Sequence, residues 1–156
     1  MKREASSMKT DNKSIYDLLK KDHTEVKQLF KQILDECKPD EAAYNQIRSA
    51  LQVHMRGEEE YFYPAIKDGR DARILSNEAM VEHNSAKMLM DEIDNTGEDD
   101  EMWLPRVKVL SEMIDHHVED EEGDLFDEAK KLLNENQACE IGQKFQEIKG
   151  MSAKMM

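Results

Sequence analysis

His54-Met55-Arg56-Gly57-Glu58-Glu59 recurs, 63 residues further on, as His117-Val118-Glu119-Asp120-Glu121-Glu122. Both read His-x3-Glu-Glu, and each is preceded by a lone histidine, His23 after Asp22 and His83 after Glu82. The gap between the two histidines is 31 residues in the first half and 34 in the second. One such period is too long and too sparsely repeated for a solenoid. A duplicated helical hairpin with a pseudo-twofold axis fits it better.

The flanking residues have a helical period. Ser14 is placed to cap a first helix, whose apolar face is Ile15, Leu18, Leu19, Val26, Leu29, Phe30, Ile33 and Leu34. Lys38-Pro39-Asp40 breaks it, and Asp40 can cap a second helix carrying Tyr44, Ile47, Leu51, Tyr61, Phe62 and Ala65. Pro64 kinks that helix or marks its end. A third helix is expected from about Asp71 to Asp94, and a fourth from Trp103 to Leu132. A short fifth helix is expected over Ala138 to Lys149. Four helices joined by short connections predict an all-α, up-down-up-down four-helix bundle with a short C-terminal helix. Residues 1–13 are polar and aperiodic and read as a disordered arm before a single domain over 14–150.

Composition narrows the function classes. The 156 residues carry a net charge of −13, the wrong sign for nucleic acid or an anionic membrane surface. No apolar run approaches a membrane span, and the first residues lack the apolar stretch of a secretory signal. Cys37 and Cys139 form no zinc or redox motif and read as reduced thiols, which predicts a cytoplasmic protein.

The polar residues of the repeat fall on the apolar stripes. In the second helix the stripe is 44, 47, 51, 54, 58, and in the fourth it is 103, 107, 110, 114, 117, 121, so His54, Glu58, His117 and Glu121 point inward. His23 lies between Leu19 and Val26, and His83 between Ala79 and Ala86. A single inward histidine is more often a satisfied core residue than a ligand. Two buried carboxylates with four imidazoles and no buried Arg are costly unless they bind metal. Imidazole suits iron, copper, nickel and zinc, and a carboxylate can bridge two ions. Ferritin-like sites need Glu-x-x-His. Lys20, Leu51, Met80, Met113 and Ile114 stand three residues before the five histidines, and none is acidic.

On these residues the chain resembles the hemerythrin-like, or HHE cation-binding, family over about Ser14 to Leu133. His54-x3-Glu58-Glu59-x4-Pro64 and His117-x3-Glu121-Glu122-x3-Phe126 look like its two signature motifs. The resemblance implies a left-handed four-helix bundle around a non-haem di-iron centre with an oxo or hydroxo bridge. Glu58 and Glu121 would bridge both irons, His23 and His54 would ligate one, and His83 and His117 the other. Oxygen-carrying members have a fifth histidine where Lys87 stands, which weakens a simple carrier role. The resemblance therefore implies reaction with O2, peroxide or NO. The alternatives are oxygen or iron sensing or storage without turnover, and delivery of iron to damaged iron centres. A sensor would need a signalling partner, and turnover an electron donor. His116 is expected at the surface. Glu59, Glu60, Glu119 and Glu122 are expected as a solvated face or an acidic entry for Fe²⁺, not as ligands. Tyr61 and Tyr63 are expected in packing more than reaching the core, and Lys87 directed outward more than inward as a proton donor.

Overall fold

The computed structural model describes residues 13–155, so the arm expected over 1–13 lies, apart from Lys13, outside the described residues. The bundle helices are α1 (Ile15–Glu36), α2 (Glu41–Gly57), α3 (Arg70–Thr96) and α4 (Trp103–Asp120). Ser14 caps α1 by accepting from the Asp17 amide, and Asp40 caps α2 by accepting from Ala43. Cys37, left-handed at φ 53°, ends α1. No helix of the described residues is long and apolar enough to cross a membrane.

Helices α2 and α4 do not stop at their motifs. Each passes into a π-helical turn, Glu58–Phe62 after α2 and Glu121–Leu125 after α4. The first continues as a 3-10 turn, Tyr63–Ile66, in which Pro64 occupies the first turn. The second continues as α5 (Phe126–Leu132). A π turn holds one residue more than an α turn, so it rotates everything downstream. Ala65, expected on the inward face, is therefore exposed, while Tyr63, Ile66 and Phe126 turn inward.

The last helix departs furthest from expectation. α6 (Glu135–Met155) has 21 residues, not a short segment, and packs along α1, α2 and the first π turn. Asn134 and Gln137 start it with reciprocal side-chain-to-backbone hydrogen bonds. Two glycines let it approach. A Cβ on Gly142 would meet the Lys13 carbonyl, and one on Gly57 would lie 2.2 Å from the Phe145 ring. Phe145 is fully buried and cannot swing aside freely. Gly57→Ala gains about 1 kcal/mol in helix propensity but is expected to lose more, about 1–3 kcal/mol, to overpacking. Urea unfolding of the variant checks this, and a net gain in stability would show that Phe145 repacks freely.

Candidate metal centre

The apolar core is split. One cluster, with Phe30, Tyr44, Leu51, Met90, Trp103 and Ile114, fills one end of the bundle. The other, with Leu19, Phe62, Ile66, Phe126 and Phe145, fills the opposite end. Between them lies a polar layer made by one residue of α1 (His23), one of α3 (His83), and the His-x3-Glu pairs of α2 and α4. All six side chains are buried, and Glu58 is wholly inaccessible. The two π turns begin at Glu58 and Glu121, the carboxylates of the repeat.

The histidines pair across the hairpins. His23 Nε2 lies 3.2 Å from His54 Nε2, and His83 Nε2 lies 3.3 Å from His117 Nε2. The carboxylates reach both pairs. Glu58 presents Oε2 to His54 at 3.3 Å and Oε1 to His83 at 3.0 Å. Glu121 presents Oε1 to His23 at 3.1 Å and Oε2 to His117 at 3.6 Å. Each carboxylate thus spans two imidazole pairs, one oxygen to each.

The outer ring nitrogens are all held by acids. His54 Nδ1 faces Asp22 at 2.9 Å and His117 Nδ1 faces Glu82 at 2.6 Å, within each half. His23 Nδ1 faces Glu122 and His83 Nδ1 faces Glu59, both at 2.7 Å, between halves. The repeat is therefore two layers deep. The residue before each lone histidine holds its own half's second histidine, and the residue after each buried glutamate holds the other half's first. Such carboxylate–imidazole pairs place the hydrogen on Nδ1 and aim the Nε2 lone pair at a metal.

That arrangement fits a cation. With hydrogen on Nδ1, two Nε2 lone pairs oppose each other in each pair and repel unless a cation lies between them. Glu58 Oε1 and Oε2 and Glu121 Oε1 are buried without any hydrogen-bond partner, a costly state unless a metal satisfies them. In the metal-free chain protons take that role. Burial opposes charge on His54, but Glu58, Asp22 and Glu121 outweigh it and push its pKa up to about 10. Burial likewise opposes charge on His117, but Glu82, Glu121 and Glu58 raise it to about 9. Burial also resists charge on Glu58, yet His54 above all holds its carboxyl well below the usual range. Glu121 moves the other way, raised by burial and by the charge of Glu58.

Glu59, Glu122 and Tyr63 differ from their sequence reading, and Lys87 and His116 do not. Glu59 and Glu122, expected on a solvated face, orient His83 and His23. Tyr63, expected in packing, donates to Glu121 Oε2 at 2.6 Å and lies 3.4 Å from His83 Nε2. Only a π turn in the sequence reading would have brought it inward. Lys87 is directed outward and pairs with Glu59 at 3.2 Å, so it supports His83 indirectly. His116 is exposed, 3.2 Å from Asp120. Lys149 of α6 donates to Asp22, a contact with no sequence signal. Asp22→Ala removes the His54 acceptor and is expected to weaken metal binding about 10–100-fold, read by competition with a chelator. His116→Ala is expected to leave metal content unchanged, and loss of metal there would overturn the choice of His117.

Comparison with known proteins agrees with this architecture. Residues 14–129 match the Hemerythrin HHE cation binding domain. A crystal structure of a hemerythrin HHE cation binding domain-containing protein from Mycobacterium kansasii superposes with a TM-score of 0.78. It is 19% identical and covers 91% of this chain and 89% of that one. A DNA nickase of Nostoc sp. is 25% identical over 138 residues, which cover 87% of this chain. The match spans 39% of that protein's own length.

Proposed function

Because this chain belongs to the hemerythrin HHE cation-binding domain family, we propose that it holds two iron ions and uses them to bind or reduce a small oxidant: O2, peroxide or NO. The observation that carries the reading is the pair of carboxylates, each offering one oxygen to each of two imidazole pairs. His23 and His54 would hold one iron, His83 and His117 the other, and Glu58 and Glu121 both. The bound metals supply one-electron redox chemistry at two adjacent centres.

The protein's own groups supply the rest. The apolar clusters on either side close the polar layer above and below, which strengthens the electrostatic contacts inside it. Burial, with the charges of Glu121 and Glu58, pushes the Tyr63 phenol well above its usual range. Tyr63 Oη therefore keeps its proton at neutral pH and donates a hydrogen bond to Glu121 Oε2, 3.4 Å from His83 Nε2. Reduction of peroxide to water, or of NO to N2O and water, consumes protons, and this hydroxyl is a buried hydrogen-bond donor beside His83 Nε2. Sustained turnover would draw electrons from a separate donor protein. We assign the chain to the cytoplasm on its free thiols, Cys37 and Cys139. Nicking of DNA is not carried over, since a net charge of −13 opposes phosphate-backbone binding.

The test is made on anaerobic protein loaded with Fe²⁺. Metal per chain is counted, then the optical spectrum is followed as O2, peroxide and NO are added in turn. Two irons that are rapidly oxidised with consumption of peroxide or NO support an enzyme. Two irons with a stable, reversible O2 adduct support a carrier or sensor. One iron or none breaks the di-iron reading.

A further inference from the structure

We propose that a small neutral ligand reaches this centre on its His83/His117 side, through a cavity between α3 and the α4 π turn, while α6 seals the His23/His54 side. The proposal rests on the di-iron reading above. It is carried by a comparison of the two halves at equivalent positions of the repeat.

In the first half, Gly57 lies under the Phe145 ring, and Phe145 also meets His54 edge-on at 5.9 Å. Asp22, the acceptor for His54, is capped by Lys149. All of that cover comes from α6. The repeat places Asp120 where Gly57 stands and Glu82 where Asp22 stands. In the second half nothing among the described residues fills the corresponding space. A cavity of about 180 Å³ occupies it, lined by Leu75, Ala79, Glu82, His117, Asp120 and Glu121. Two of these, His117 and Glu121, belong to the buried polar layer, so the cavity leads from the surface to the centre itself.

The donor sets differ in the same sense. On the His23/His54 side four donor groups, the two imidazoles with Glu58 and Glu121, gather within 4.8 Å of one another. On the other side Glu58, His83 and His117 do so, while Glu121 Oε2, 3.6 Å from His117 Nε2, is also engaged by the Tyr63 hydroxyl. A metal on that side would share its Glu121 oxygen with the Tyr63 hydroxyl and would lie beside the cavity. The covered side has the tighter donor cluster and the extra helix, and so would retain its metal more firmly.

The cavity also selects by charge. Glu78 and Asp124 line it with Glu82 and Asp120, and no lysine or arginine among the described residues does so. A uniformly acidic passage repels anions and admits neutral molecules such as O2, hydrogen peroxide and NO.

The test uses the iron-loaded full chain with NO and azide as probes, followed by stopped-flow absorbance. Leu75→Trp narrows the half-buried rim, and Ala79→Phe narrows the interior. With two irons retained, each is expected to slow NO association at least tenfold. Unchanged NO rates in both variants, with two irons present, would overturn the route. Asp124→Asn is expected to speed azide association severalfold at low ionic strength, and an unaltered azide rate would overturn the charge selection. A wild-type chain that fails to hold two irons would instead sink the di-iron reading, before either variant is made.

Discussion

Glu58→Ala is expected to leave at most one firmly held metal ion per chain. The reason lies in how the carboxylate is shared. Its Oε2 faces His54 at 3.3 Å and its Oε1 faces His83 at 3.0 Å, so truncation removes a donor from both metal positions. It also removes one of only two negative charges from the middle of the polar layer. Nothing near is placed to replace it. Asp22, Glu59, Glu82 and Glu122 are committed to the outer ring nitrogens, and apolar clusters close the layer at both ends. Loss of an outer carboxylate costs about 10–100-fold in affinity, and loss of a shared inner one is expected to exceed that. The measurement is metal content after desalting, with a chelator competition for affinity. Glu121→Ala is expected to behave in the same way. Retention of two irons at wild-type affinity in either variant would show that the carboxylate is not shared between the ions.

The inner layer of this centre was legible because it obeys two periods at once. His54, Glu58, His117 and Glu121 fall on apolar stripes where polar residues are out of place, and the 63-residue repeat makes the misplacement twofold. The four bundle helices were legible for the same reason, with Ser14 and Asp40 marking two starts. What followed each motif was not. A π turn leaves no composition signature, and it begins at the very residues, Glu58 and Glu121, whose inward direction was already clear. Extending the α period past them put Ala65 inside and left Tyr63 as packing, whereas the turn does the reverse. Glu59 and Glu122 were misread because acidic residues beside a buried glutamate look like a solvated face. Their true partners, His83 and His23, lie in the other half of the repeat, 24 and 99 residues away. The fifth helix was underestimated because its contacts depend on absence of side chains. Gly57 and Gly142 show no contact in sequence, and in the fold they are where α6 docks. The unequal cover of the two histidine pairs follows from that helix and is invisible in a motif that is nearly symmetric.

Fe²⁺ binding at pH 7.5 is expected to release at least two protons per chain, and removing the metal is expected to make the protein sensitive to alkali. Both follow from what fills the polar layer when no metal does. His54, raised to about 10, and His117, raised to about 9, are protonated at that pH in the metal-free fold. Each must lose its proton before Nε2 can bind a cation. Proton uptake by base during anaerobic titration counts the release directly, and fewer than one proton per chain would mean that the imidazoles are neutral before metal arrives. The stability argument has a definite sign. Both folded values lie above the 6.5 of an unfolded histidine, so the stabilisation from these two groups is complete below about pH 6.5. It is lost as pH rises through about 9 and then 10. The metal-free chain should therefore unfold at progressively lower temperature over that interval, by about 2–4 °C for each kcal/mol lost. In the loaded chain the same imidazoles are already deprotonated and tied to metal, so the alkaline limb should vanish. Its weak side is acid, where protons compete with metal for Nε2. Metal and protons thus stabilise one arrangement of side chains over opposite ranges of pH, and the two unfolding curves should cross. Parallel curves for the two forms would show that His54 and His117 do not exchange protons for metal.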